Sequence, residues 1–177
     1  MRLLLYTLAE HTFFERGKNM PNYNRTEHIV RKLYTRIDVL YPEQLKINEI
    51  ANKLGVAVRY WDFSSEAFTV NGKCFIVLNK NQSKGKVWED FAHELSHPTL
   101  HVGRQEWLHV LFRQLQEYQA NYFAYHFCVP TFMLEQLEEV SADVIVNLFN
   151  VEYEFAVRRL EMYQNKLLLR KVGHKIG

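Results

Sequence analysis

The sequence is short of glycine and proline, 7 and 4 in 177 residues, and has two cysteines. Scarce glycine and proline without a period exclude collagen-like and low-complexity chains. Cys74 and Cys128 are too few for a disulfide framework, so reduced thiols that serve packing, in a cytosolic protein, are the simpler expectation. Charge of one sign is missing as well. The 22 Lys+Arg stand against 20 Asp+Glu, a net +2, too balanced to point to nucleic acid. No apolar run approaches the roughly 18 residues of a membrane span. Residues 1–9 hold Arg2 and a short greasy stretch, but no small-residue cleavage site precedes Glu10 and His11, so they make a poor signal peptide. These absences lead to the expectation of a cytoplasmic protein with neither membrane nor direct nucleic-acid contacts.

What is present is the composition of a globular body: 47% hydrophobic, 24% charged and 14% aromatic residues, with 12 Phe and 10 Tyr. A chain this long buries roughly 70% of its unfolded surface and needs no staples. A single domain is expected over residues 20–177. Residues 1–19 are an uncertain N-terminal extension: the chain has a second possible start at Met20, or Leu4, Leu5 and Leu8 add a helical turn or two.

Tyr23, Val30, Leu33, Tyr34, Ile37 and Leu40 recur at helical spacing and stop before Pro42. Ile47, Ile50, Ala51 and Leu54 form one face of a second helix, ended by Gly55. Three short β-branched and aromatic runs follow, at 56–61, 67–70 and 74–78, with Asn71-Gly72 as a hairpin signal between the last two. Helical patterns then fill about 87–101, 106–127, a short piece opened by Pro130, 143–149 and 152–169. Helices, a small antiparallel sheet, then helices make an α+β fold.

The chemistry concentrates in residues 87–97, which contain His93-Glu94-Leu95-Ser96-His97, an H-E-x-x-H pattern. On a helix the two histidines are about 6 Å apart along the axis and about 40° apart around it, so both imidazoles reach one ion. Glu94 projects beside them, placed to act as a general base. The alternative is a surface helix with two histidines and an incidental glutamate. A catalytic zinc needs a third ligand. His101 is about 12 Å beyond His93 on a continuous helix, although Pro98 removes the bond to the Glu94 carbonyl and introduces a kink as an alternative. No H-x-x-G-x-x-H extension is present, which excludes the metzincin pattern. On the next helix Glu117, Ala120, Asn121 and Ala124 share one stripe, and the two alanines permit the close approach that a short carboxylate ligand requires. Glu117 is therefore the candidate third ligand, with a solvated helix glutamate as its alternative. Asn121, one turn on, is a candidate hydrogen-bond partner for the site.

Other residues have plainer readings. His109 and His126 on the Glu117 helix read as core-edge histidines. Tyr122 and Tyr125 are candidates for oxyanion stabilisation, with core packing as the commoner role. Residues 50–56 superficially resemble the turn of a helix-turn-helix, but a strand-like run follows where a recognition helix would stand. The basic tail (Lys166, Arg170, Lys171, Lys175) reads as a solvated end.

The segment Val87–His97, followed by Phe112–Pro130 with its Glu117-x-x-Ala120-Asn121-x-Phe123-Ala124, resembles the ImmA/IrrE family of zinc metallopeptidases. That family pairs a helix F-x-x-H-E-L-x-H with a later E-x-x-A-n-x-F-A ending in a proline. The resemblance extends back to Ile50–Val56 and forward to Phe149–Val151 and Ala156–Leu160, covering about residues 22–169. It implies a zincin-like fold, with His93, His97 and Glu117 as ligands of Zn2+ in a gluzincin-like set and Glu94 as general base. Ser96, where the family usually has glycine, and Pro98 are departures. The resemblance further implies a stand-alone ImmA-type protease from a prophage or integrative element that cleaves a helix-turn-helix transcriptional repressor and so relieves repression.

The rival expectation is a non-proteolytic anti-repressor that sequesters its target around a structural zinc, against which the intact Glu94 argues. A further expectation concerns docking: the run Cys74–Leu78, leading into the metal helix, serves as the sheet edge on which an extended substrate pairs.

Overall fold

The structure is a computed structural model and describes residues 23–100 and 110–173; residues 1–22, His101 and His109 lie outside them. The elements are α1 (Arg25–Arg36), a 3-10 turn (Pro42–Gln44), α2 (Ile47–Leu54), β1 (Ala57–Trp61), β2 (Glu66–Val70), β3 (Lys73–Asn79), α3 (Lys84–Leu100), α4 (Val110–Cys128), α5 (Thr131–Leu134), α6 (Ala142–Phe149) and α7 (Tyr153–Gly173). This is the expected α+β order.

Both early helices begin and end on local signals. Asn24 caps α1 in a reciprocal box, its side chain accepting from the Glu27 N–H while the Glu27 carboxylate accepts from the Asn24 N–H. The first helix stops at Arg36 rather than running on to Leu40. Asp38 takes a left-handed φ of 52°, and the Asp38 and Val39 amides donate back to Thr35 and Tyr34. That Schellman closure turns Ile37 and Val39 into the core instead of along the helix. Gly55, at φ 72°, ends α2 in the same way, and a strand follows it as the sequence requires.

The small sheet is three-stranded, in the order β1-β3-β2. The expected Asn71-Gly72 hairpin is present: both residues have positive φ, and β2 pairs antiparallel with β3. The expectation of an all-antiparallel sheet is corrected by β1, which lies parallel to β3. Two chain reversals separate these strands, so both point the same way. Burial decides which strand is central. Cys74, Ile76, Val77 and Leu78 are all buried, the near-continuous apolar run of a strand covered on both faces. β1 and β2 carry exposed polar residues such as Arg59, Glu66 and Thr69, which suit the two edges. Residues Cys74–Leu78 therefore cannot supply a docking edge; that expectation fails because β3 is hydrogen-bonded on both sides.

The core sits where α3 meets α4 and the sheet. Trp88, Phe91 and Phe127 cluster, and Tyr34 of α1 stacks on Phe127 at 4.8 Å between ring centroids. The Tyr34 hydroxyl donates to the Phe127 carbonyl at 2.8 Å, tying α1 to the end of α4. A second tie is ionic. The buried Glu27 carboxylate accepts from Thr131 Oγ1 at 2.6 Å and from Lys166 Nζ. Arg159, 1% exposed, donates to the Val129 carbonyl and to Thr131 Oγ1. Burial alone pushes Glu27 up, but Lys166, Thr131 and the Asn24 amide outweigh it and hold the carboxyl below its ordinary value. Removing one member of such a buried set costs roughly 3–5 kcal/mol. Cys74 and Cys128 are buried and free, as packing residues should be.

Candidate active site

α3 carries the H-E-x-x-H residues. Its inner face of Trp88, Phe91, Ala92 and Leu95 is buried, which fixes the rotation of the helix and leaves His93 and His97 half-buried on one side. The helix runs through Pro98 to Leu100. Proline has no N–H for the Glu94 carbonyl, while one residue on Thr99 Oγ1 donates to the Leu95 carbonyl at 2.7 Å. Ser96 is fully buried.

α4 lies along α3, and Ala120 and Ala124 are buried, the close approach expected of that stripe. Glu117 consequently meets both histidines: its Oε2 is 3.2 Å from His93 Nε2 and its Oε1 is 3.9 Å from His97 Nε2. The three residues offer ligand atoms that all lie within 4.8 Å of one another. Tetrahedral zinc with ligand bonds of about 2.0–2.2 Å separates its ligand atoms by roughly 3.4 Å, so the residues present fit such an ion with side-chain adjustments alone.

Asn121 is one turn beyond Glu117, and its Oδ1 is 2.9 Å from His93 Nδ1. With the proton on Nδ1 donated to Asn121, the Nε2 lone pair of His93 faces Glu117 and is available to a metal.

Glu94 points toward the sheet edge. Burial pushes its carboxyl up to about 7; the charges of Asp90, Glu117 and Glu66 add to this, while a hydrogen bond from the Ala67 backbone amide opposes it. Ala67 belongs to β2, so the strand beside Glu94 is β2 and not β3. The sequence reading missed this contact and its support. Asp90, one turn before Glu94, accepts from Ser65 Oγ at 2.8 Å and pairs with Lys86 at 2.8 Å, and Ser65 Oγ in turn accepts from the Asn79 amide. The i, i+4 spacing of Asp90 and Glu94 was available as a signal; the approach of β2 was not, because it is set by tertiary packing.

The remaining candidates have other partners. The Tyr122 hydroxyl accepts from Asn24 Nδ2 at 3.0 Å, and Tyr125 packs on Phe155 at 4.4 Å. His126 is buried against Tyr122 at 4.7 Å, and neither ring nitrogen has a hydrogen-bond partner among the described residues.

With this geometry in view, comparison with known proteins is decisive. The peptidase family M78, described as the IrrE N-terminal-like domain, matches residues 51–161. The chain belongs to this peptidase family. It is 41% identical over 145 residues to the phage-like element PBSX protein XkdA of Bacillus subtilis (strain 168), covering 79% of this chain and 73% of that protein. It is 35% identical over 146 residues to the protein YqaB of the same strain, covering 80% of this chain and 85% of that one. Among solved structures, a Mycobacterium tuberculosis transcriptional regulator shares the fold with a TM-score of 0.55 at 18% identity, over 78% of this chain and 48% of that one. The M78 assignment supports a peptidase. No helix among the described residues is long and apolar enough to cross a membrane.

Proposed function

We propose that this chain is a zinc-dependent endopeptidase that cleaves a helix-turn-helix repressor of a prophage or integrative element and thereby relieves repression. The observation that carries the reading is the convergence of His93, His97 and Glu117 from two helices, with ligand atoms within 4.8 Å, beside a carboxyl poised at about 7. Zinc bound by those three residues would supply Lewis acidity toward a scissile carbonyl and toward a water. The protein's own groups do the rest. Asn121 orients His93. Glu94, whose proton affinity lies near neutrality, takes a proton from the attacking water and returns it to the leaving amine.

The outer edge of β2 receives the substrate backbone. The Ala67 amide reaches Glu94, so at alternate residues of this strand the amides face away from β3. An extended segment laid along the strand pairs there through the Thr69 amide, two residues from the Ala67 amide that Glu94 holds.

The test is metal analysis of the purified chain together with a gel of the co-expressed repressor and a reporter from its promoter, for wild type and Glu94→Gln. The expected result is zinc in both proteins, with cleavage and derepression in the wild type alone. An anti-repressor would relieve repression equally with carboxylate or amide and leave its target full length; that result sinks the proposal.

A further inference from the structure

The first helix turns charge of one sign to solvent. Arg25, Arg31, Lys32 and Arg36 are exposed, and the other exposed residues of α1 are His28 and Thr35. At 100° per residue Arg25, Lys32 and Arg36 fall within an arc of about 40°, with Arg31 on its flank, opposite the buried Glu27, Val30 and Tyr34. Glu27 is the one acid of α1, and it is turned inward and paired with Lys166. The solvent face of α1 therefore carries no negative group.

These four cations also lack carboxylate partners. Lys46, Lys80, Lys86 and Arg158 each have one at 2.8–3.1 Å, whereas among the described residues none pairs with Arg25, Lys32 or Arg36, and Arg31 lies instead over the Tyr23 ring at 5.3 Å. The arrangement is locally unfavourable. Lys32 and Arg36 are like charges at i, i+4, and Arg25 stands in the first turn, where the helix dipole disfavours a cation. Of 22 Lys+Arg, setting these four aside leaves 18 against 20 Asp+Glu, so the near-neutral total conceals a positive helix on a slightly acidic remainder.

The chemistry of the face selects its partner. Protein interfaces bury an apolar centre, and a helix lying on a membrane inserts apolar side chains, but no exposed residue of α1 is apolar. Interfaces with DNA are more polar and far more positive. From Arg25 to Arg36 the helix rises about 17 Å, a length over which a duplex presents about ten phosphate charges. Arginine forks pair phosphate oxygens two at a time.

We propose that the outer face of α1 binds the phosphate backbone of duplex DNA through Arg25, Arg31, Lys32 and Arg36, without reading its sequence. The contact uses none of the residues of the candidate active site and holds whether or not a repressor is the substrate.

The test titrates full-length protein into a labelled duplex of about 24 base pairs and reads fluorescence anisotropy. Four phosphate contacts give binding that weakens roughly 100-fold between about 50 and 200 mM salt. Changing all four residues to Gln should weaken binding at least tenfold at the lower salt and flatten the salt dependence. The combination Lys46→Gln, Lys73→Gln, Lys80→Gln, Arg158→Gln removes the same charge elsewhere and should leave Kd within about threefold. Equal weakening by the two variants overturns the proposal, and so does absence of binding by the wild type at the lower salt. If the fourfold α1 variant loses its thermal transition, Lys32→Glu alone decides: binding about fivefold weaker supports the proposal and unchanged binding overturns it. Tighter binding to polyglutamate, or to phosphatidylserine vesicles, at equal charge overturns it in favour of an acidic protein or a membrane surface.

Discussion

Asn121 Oδ1 stands 2.9 Å from His93 Nδ1, on the helix that also carries Glu117. One turn of α4 thus supplies both the candidate third ligand and a hydrogen-bond partner for the histidine opposite. Replacing Asn121 with Leu keeps the size and removes the acceptor. Zinc affinity should fall by about 10- to 100-fold, the usual cost of losing such a partner, with the thermal transition of the metal-free protein little changed. Competition with a chromophoric chelator measures the first and calorimetry the second. Unaltered affinity would remove Asn121 from the site.

Glu117 is the more exposed of the three candidate ligands, so its replacement tests the site with little risk to the fold. Glu117→Ala should lower the zinc content of the purified protein sharply. Glu117→Asp, which shortens the reach by one methylene, should retain an intermediate amount. Full zinc in the alanine variant would mean that the ion, if held, uses other groups.

The part of this arrangement written in periodicity was legible from residues alone. His93, Glu94 and His97 are fixed by helical geometry, and Glu117 with Ala120, Asn121 and Ala124 by the stripe that lets α4 close on α3. The helix order, the Asn71-Gly72 hairpin and the Gly55 stop are likewise local signals. What was not legible depends on partners distant in the chain. The strand order hides β3 in the middle, because burial on both faces of 74–78 can be read equally as a strand at an edge leading into a helix. The turn at Asp38 needs a left-handed residue that the apolar spacing of Ile37 and Leu40 conceals. Ala67 carries no side-chain chemistry at all; only its amide, brought up by tertiary packing, acts on Glu94.

Proline placement separates the edge strand from the central one. At Thr69 the amide faces away from β3, so Thr69→Pro leaves the ladder to β3 intact. It should lower kcat/KM for the repressor at least tenfold while zinc content and the thermal transition stay near wild type. Ile76→Pro removes a donor from the ladder of the central strand and should cost the fold itself, seen as lost soluble protein or a much lower Tm. Normal cleavage by Thr69→Pro would show that substrate does not pair with β2.

His126 makes stability depend on pH in a window of its own. It is 3% exposed and has no hydrogen-bond partner for either nitrogen among the described residues. Burial, together with the positive charges of Arg159 and Lys166, pushes its pKa from the ordinary 6.5 down to about 2. Above 6.5 the ring is neutral in both folded and unfolded chains, and no pH dependence arises from it. Below 6.5 the unfolded chain takes up a proton that the folded chain refuses, so stability falls as pH drops, by about 1.4 kcal/mol per unit. Between pH 7.5 and 5.0 this amounts to about 2 kcal/mol from the one histidine. Replacement by Phe preserves an aromatic ring beside Tyr122 and abolishes the titration. Urea unfolding of the metal-free proteins at both pH values isolates the effect, since the other titrating groups cancel in the difference. Wild type should lose about 2 kcal/mol more than His126→Phe over that interval; equal losses would mean that the ring accepts a proton in the folded state.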